Sequence, residues 1–337
     1  MGTMYAVQRD QVSRLLQQTG VVKGQEQGKE AILATILARG HGYLLAPPGL
    51  AKTTLVKVLQ RAIKGSVSRR LQMTADVRPR DIIGHREFDL STQQYVFHPG
   101  PLVGANIVLV DEISRALGLT HAALLEAMQE GTITHVDQLG AIDLPPFFTV
   151  LATGNPLENE GVNPLPEALK DRFMTQITMG YGSREDELAM LSDLDAVFNP
   201  TMGVLEVMSV DDVLVAQQVV LNIAKNVSAQ AMGYVVDVNR AARPGTEFFK
   251  MVHGDDAKRI SDYVAVGPSP RGEIATLLIA AALVLIRGDE YIEPHHIKDA
   301  FRYTLPVRVI MRPEAAIDDF TTSDLVNITL DRVKVIA

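Results

Sequence analysis

The chain has 337 residues, 47% hydrophobic and 21% charged, and its 32 basic and 40 acidic side chains give a net charge of −8. That length exceeds what one hydrophobic core usually holds and points to two domains, while the acidic balance leans away from a dedicated duplex-DNA binder. The lack of cysteine excludes disulfides, thiolate metal sites and a cysteine nucleophile; with no bilayer-length apolar run and a polar first 14 residues, a cytoplasmic enzyme is expected.

In chain order, Ile32, Leu33, Ile36 and Leu37 mark one face of a helix over 29–38, with Gly40 at its stop. "HGYLLAPPGLAKTTL" predicts a strand around Tyr43 to Ala46, a loop, and a helix running to about Ile63. Its Leu55, Val56, Val58, Leu59, Ala62 and Ile63 make a wide buried stripe. "RRLQMT" reads as a strand, and the unbroken apolar run of "NIVLVDE" as one buried on both faces. "HAALLEAMQ" is helical, "PFFTVLATGNP" a strand ending in a polar loop, and "MTQITM" a further strand. This alternation implies a parallel three-layer α/β sheet over 1–182. Two segments, 82–102 and 131–146, alternate around polar turns and are expected to be β-hairpins inserted in that domain.

After Gly182 strand signals become scarce. Ser183 is placed as the N-cap of "SREDELAMLSDL", with acidic residues in its first turn. Helical patterns follow over 210–223, 229–242, 272–286 and 294–305, and again in "LVNITLDRV". Residues 183–337 are therefore expected to form a smaller, mostly helical domain. The stretch from Ala242 to Pro270 is the least readable and is expected to be a lid loop, its Phe248 and Phe249 exposed or buried.

The loop at residues 44–55, "LLAPPGLAKTTL", has the parts of a phosphate-binding loop without its two defining glycines, which are Ala46 and Ala51. Such a loop turns backbone N–H groups toward phosphate at a helix N-terminus, places a lysine on the β- and γ-phosphates and a hydroxyl on magnesium. Lys52, Thr53 and Thr54 supply those side chains after Pro48, Gly49, Leu50 and Ala51. Gly49 is expected to take the positive φ, and Ala51 to sit in the first helical turn. Asp111 and Glu112 end a buried strand, where an aspartate holds Mg²⁺ and a neighbouring glutamate takes a proton from the attacking water. Asn155 follows the next strand, in reach of a γ-phosphate.

These residues resemble the AAA+ ATPases, and more narrowly the MoxR family. The match is carried by "LLAPPGLAKTTL", "VLVDEISRA" with "ALLEAMQEG", "LATGNPLENEGVNPLPEALKDRF" and "GPSPRGEIATL". It extends from about Val21 to Leu305, and Ala46 is the departure, since the family keeps glycine there. The resemblance implies an AAA+ P-loop αβα domain followed by an all-α lid, with ATP and Mg²⁺ as cofactors. Lys52 and Thr53 would bind phosphate and metal, Asp111 would support the metal, Glu112 would be the base and Asn155 the γ-phosphate sensor. Arg172, in "DRF", resembles an arginine finger for the neighbouring subunit's ATP, and Arg271, in "SPRG", a second sensor. Gly24 and Gln25 resemble the segment beside the adenine, and Arg115 is expected near an adjacent subunit.

A homo-oligomeric, hexameric ring is implied, acting on a protein partner that bears a von Willebrand factor A domain, with no membrane span. Alternatives are an AAA+ motor on nucleic acid or transcription, a magnesium-chelatase-like subunit, a non-hydrolysing nucleotide scaffold and a small-molecule kinase. The enhancer-binding loop sequence "GAFTGA" is absent, which disfavours the first. His295 and His296, beside Glu293, are expected to point to different faces of a solvated helix and to hold no metal.

Overall fold

Five parallel strands form the central sheet of the computed structural model, which describes residues 2–47, 49–134, 140–155 and 165–335. They are β1 (Gly42–Leu45), β2 (Ser68–Gln72), β3 (Ile107–Asp111), β4 (Thr149–Gly154) and β5 (Thr175–Thr178). Their spatial order is β5-β1-β4-β3-β2. β3 and β4 are buried at every residue, as continuous apolar strands are when helices cover both faces. β2 is an edge strand and buries only Leu71. Leu45 lies opposite Gly154 and Thr178, and Gln72 opposite Asp111. The strands thus end at one level, and their carboxyl ends form the crevice where open α/β sheets hold ligands.

Helices α1 (Gly2–Gln18), α2 (Glu26–Leu37), α3 (Lys52–Ala62) and α4 (Gly118–Glu130) belong to this half. The period-2 alternation of β3 sorts its side chains between two cores. Ile107 and Leu109 join α2 and α3 on one face, while Val108 and Val110 join Leu124 and Ala127 of α4 on the other. Each fully buried Leu or Ile contributes about 1.5–3 kcal/mol.

The second half is helical: α5 (Arg184–Ser192), α6 (Leu194–Phe198), α7 (Val210–Lys225), α8 (Ala229–Ala241), α9 (Pro270–Arg287) and α10 (Pro294–Thr304). Ser183 caps α5 as expected: its Oγ accepts from the Asp186 N–H at 3.1 Å, and Asp186 accepts from the Ser183 N–H at 2.9 Å. α9 is apolar almost all round and is packed by α1, α2, α7, α8 and α10. It stops at Gly288, whose φ of +80° lets its N–H and that of Asp289 return to Val284 O. One apolar cluster runs from α1–α3 into α7–α10. Gln217 of α7 donates to Ile36 O at 2.9 Å, and Arg287 pairs with Glu30 at 2.8 Å, so the helical half is tied directly to α2.

Both expected hairpins form. One pairs Gly84–Asp89 with Gln94–Pro99; the other pairs Thr132–Thr134 with Ala141–Asp143, and its tip lies outside the described residues. The lid-loop expectation for the unread segment is corrected. Helices Glu247–His253 and Ala257–Tyr263 lead into a short strand at Val264–Val266 paired with Ile310–Met311. Phe249 is buried in the shared core and Phe248 packs against it half-buried.

The two histidines differ in face as expected, His295 exposed and His296 buried, but the helix is not solvated on both sides. Their rings lie 3.8 Å apart, and His296 is buried. At the third residue of α10, the His296 ring turns back so that Nδ1 accepts the Glu293 N–H at 3.1 Å and Nε2–H donates to Asp289 at 2.8 Å. Ligand atoms of Asp289, His295 and His296 approach within 4.8 Å, yet the backbone bond fixes the proton on Nε2, the nitrogen a metal would need. His296 thereby joins Glu293 in capping the helix. Among the described residues no helix is long and apolar enough to cross a membrane.

Candidate active site

The strand-to-helix loop after β1 opens α3 with Lys52 as its first residue. Gly49 has φ +85°, as expected, and Pro48 lies outside the described residues. The expectation for Ala51 is corrected. It is the N-cap of α3 at φ +51°, in the left-handed region where its methyl group is strained and glycine is not. Ala46, the departure from the family pattern, has an ordinary φ; its methyl is fully buried and its N–H reaches Gly154 O at 3.2 Å. The missing glycine is therefore felt at Ala51.

Lys52 curls back over the loop, its ammonium donating to Ala46 O at 3.0 Å and Pro47 O at 3.2 Å. Burial pulls it below the ordinary lysine pKa, against the raising pull of Asp111 and Glu112. Lys52, Thr53, Arg70, Asp111, Glu112 and Asn155 line a cavity of about 450 Å³ at the carboxyl ends of β1, β4 and β3.

Both carboxylates are held by named donors. Asp111, 7% exposed, accepts the Thr153 hydroxyl at Oδ1 (3.1 Å) and the Arg70 guanidinium at Oδ2 (2.6 Å). Glu112 Oε2 accepts from Gln72 at 2.8 Å and pairs with Arg115 at 3.2 Å. Glu112 also has a left-handed backbone, φ +55°, secured by its N–H to Thr153 Oγ1 at 3.1 Å. A non-glycine residue held there costs about 1–3 kcal/mol and is a recurrent mark of functional positions. Arg115 thus pairs within its own chain. The Thr53 hydroxyl and the Asp111 carboxylate are hard oxygen donors around a cavity with room for phosphates and water. That donor set fits magnesium, which takes one or two protein oxygens and completes its shell with water and phosphate.

A second cavity of about 510 Å³ lies on the other side of the loop, lined by Val21, Val22, Gln25, Leu50, Thr54 and Met190 among others. Its walls are mainly apolar, as a slot for a purine base is. Gln25 is held at φ +63°, with its side-chain amide donating to Gly180 O. Gly24 stands behind it at φ +71°, where an added Cβ would meet Asp186 Oδ2 at 2.9 Å.

Neither Arg172 nor Arg271 lines these cavities. Each is held elsewhere. Arg172 donates to Gln129 on α4, and Arg271, in the first turn of α9, donates to Asp171 Oδ2 at 2.5 Å. Arg308 lies buried beneath them, donating to Phe173 O and Met174 O at 3.0 and 2.9 Å. Burial pulls Arg308 down to about 10, with Asp171 acting in the raising direction.

Arg70, Gln72 and Thr153 were not anticipated. Thr153 had a signal, being two residues before Asn155 on a strand whose end was expected at the site. For Arg70 and Gln72 the two-residue spacing places both on one face of β2, but that β2 neighbours β3 was not readable.

Residues 41–175 match the family described as ATPase family associated with various cellular activities (AAA), and 256–327 match an AAA lid domain. The chain is 36% identical over 306 residues to the uncharacterized protein YeaC of Bacillus subtilis, covering 90% of this chain and 88% of that one. It is 34% identical over 314 residues to chaperone MoxR1 of Mycobacterium tuberculosis, covering 93% and 79%. A crystal structure of a candidate ATPase from Cytophaga hutchinsonii superposes with a TM-score of 0.88 at 29% identity, covering 100% of this chain and 98% of that one.

Proposed function

The chain belongs to the MoxR family of AAA+ ATPases, and we propose that it hydrolyses Mg²⁺·ATP only where two copies meet, as a ring that remodels a protein partner. One observation carries the reading: Arg172, held by Gln129, and Arg271, held by Asp171, line neither cavity of their own chain. Arginines supplied in trans stabilise the charge of a transferring phosphoryl group and make turnover depend on assembly.

Within one copy, the base lies in the Gln25 cavity and the phosphates over the loop. The N-terminus of α3 and Lys52 receive the phosphates, and Thr53 and Asp111 hold the metal. Magnesium held by Thr53 and Asp111 would supply positive charge to the phosphates. Glu112 takes the proton of the attacking water, with Gln72 and Arg115 setting where its carboxylate points. Asn155 contacts the γ-phosphate or the water. Arg172 and Arg271 of a neighbouring copy complete the site.

The surface near the base cavity supports assembly. α5 and α6 bury no residue, and Leu191, Leu194, Phe198 and Met202 are 52–78% exposed beside the cavity wall formed by Met190 and Val197. Apolar groups grouped in this way mark interaction surfaces. The chaperone name of the mycobacterial relative and the two hairpins support a protein as the partner, a von Willebrand factor A domain being the type the family resemblance implies.

The test is steady-state ATP hydrolysis per subunit across protein concentration. The reading expects specific activity to rise with concentration and then level off. Activity per subunit that stays constant down to concentrations where the chain is a monomer would overturn it.

A further inference from the structure

Arg70 lies against Asp111, the candidate metal ligand. Its Nε donates to Asp111 Oδ2 at 2.6 Å, it lines the phosphate-side cavity with Lys52 and Thr53, and its side chain is 57% exposed. Thr153 holds Asp111 Oδ1 and Arg70 holds Oδ2, so a cation that binds Asp111 at Oδ2 shares that oxygen with Arg70 or displaces it. We propose that Arg70 is a built-in cation of the site: it competes with the divalent ion for Asp111 and supplies positive charge to the nucleotide's phosphates when the metal is not there. The proposal rests on the reading of this cavity as the phosphate site of ATP.

Charge and freedom of movement carry the argument. A guanidinium is always protonated, so the charge of Arg70 is permanent. Lys52 and Arg70 balance Asp111 and Glu112 at the cavity wall, and Arg115 adds a further positive charge behind Glu112. Neutralising Arg70 leaves Lys52 as the one basic side chain lining the cavity among the described residues, a deficit within the chain that a bound metal ion makes good. Arg70 comes from an exposed edge strand, so it can swing from Asp111 toward a phosphate, whereas Arg308 is fixed by three backbone carbonyls. As a half-exposed ion pair the contact contributes little to folding, which leaves its electrostatic effect on the cavity as the measurable one. Arg70 is a positioning residue for Asp111 and, when it swings, a phosphate ligand.

The experiment is equilibrium binding of a fluorescent ATP analogue to the full chain in EDTA and in Mg²⁺, for wild type, Arg70→Gln and Arg70→Lys. Arg70→Gln is expected to weaken binding about tenfold in EDTA and no more than about twofold in Mg²⁺, a rise in metal–nucleotide coupling within the usual range. Arg70→Lys keeps the charge and is expected to hold the EDTA-to-Mg²⁺ ratio within about twofold of wild type, which separates loss of the cation from loss of the fold. Equal weakening of Arg70→Gln in both buffers, or no weakening in EDTA, would overturn the proposal. Failure of wild type to bind in either buffer would overturn the site reading itself, and Arg70's role with it.

Discussion

Arg271 donates to Asp171 Oδ2 at 2.5 Å, so the first turn of α9 is tied to the residue that precedes Arg172. The Arg308 Nε lies 3.9 Å from the other Asp171 oxygen, and its terminal nitrogens hold the backbone of Phe173 and Met174. One carboxylate of the sheet half therefore gathers two arginines of the helical half. Arg172 and Arg271 stay out of the chain's own nucleotide cavities, and this separation decides what substitutions there do.

Arg271→Ala is expected to lower kcat by about 10²–10³, the scale of losing one charge aimed at a transition state. Its effect on the chain's own affinity for nucleotide should stay within about twofold, because Arg271 lines neither cavity. Equilibrium binding and steady-state kinetics on the same preparation check this. A tenfold loss of nucleotide affinity in isolated subunits would place Arg271 on its own ATP.

Ala51→Gly should stabilise the chain by about 1 kcal/mol, since it relieves a methyl group from a left-handed backbone at the N-cap of α3. Ala46→Gly should do the reverse, opening space where a fully buried methyl packs. Urea unfolding of the two variants checks the pair, and stabilisation by Ala46→Gly would contradict the assignment of strain.

Glu112→Gln should bind ATP as wild type does and hydrolyse it about 10²–10⁴-fold more slowly, the usual contribution of a positioned base. Single-turnover measurements check it. A variant that kept more than a tenth of the wild-type rate would move the base elsewhere.

His41 supplies a pH signature of the fold. Its Nδ1 accepts the Val150 N–H at 3.0 Å and its Nε2 faces Met128 O at 3.2 Å, joining β4 to α4. Burial pulls its pKa down to about 4 from 6.5. The unfolded chain binds this proton first, so the contribution is complete above pH 6.5 and is lost as pH falls toward 4, on the order of 3 kcal/mol. Burial lowers His253 and His296 as well, and both act in the same direction. His41→Gln should flatten the pH dependence of stability in that window relative to wild type; an unchanged slope would contradict the assignment.

Much of the site was legible because it sits at the ends of strands. The apolar runs before Asp111 and Asn155, and the loop before Lys52, place those side chains at one edge of a parallel sheet before any coordinates are known. What sequence left out depended on neighbours in space. Arg70 and Gln72 matter because β2 pairs with β3 in a register that sets Gln72 opposite Asp111, and nothing in "RRLQMT" names that partner. Arg271 reads as a lid residue, and its pairing with Asp171 needs the packing of α9. Ala51 reads as part of the first helical turn because A-K-T-T suits a helix; only the turn from β1 into α3 forces it into the left-handed region. The stretch after Ala242 lacked periodicity because its helices are short, and two of them span seven residues each.

The most direct test of a shared active site mixes two inactive chains. Glu112→Gln lacks the base but keeps Arg172; Arg172→Ala keeps the base but lacks the finger. In an equal mixture about a quarter of the interfaces join an intact base to a neighbour's intact arginine, if the contact is head-to-tail. ATP hydrolysis by the mixture is therefore expected well above the sum of the two chains alone, reaching roughly that fraction of wild-type activity. A mixture no more active than its parts, with both variants binding ATP and co-assembling, would contradict the claim that Arg172 acts on a neighbouring copy.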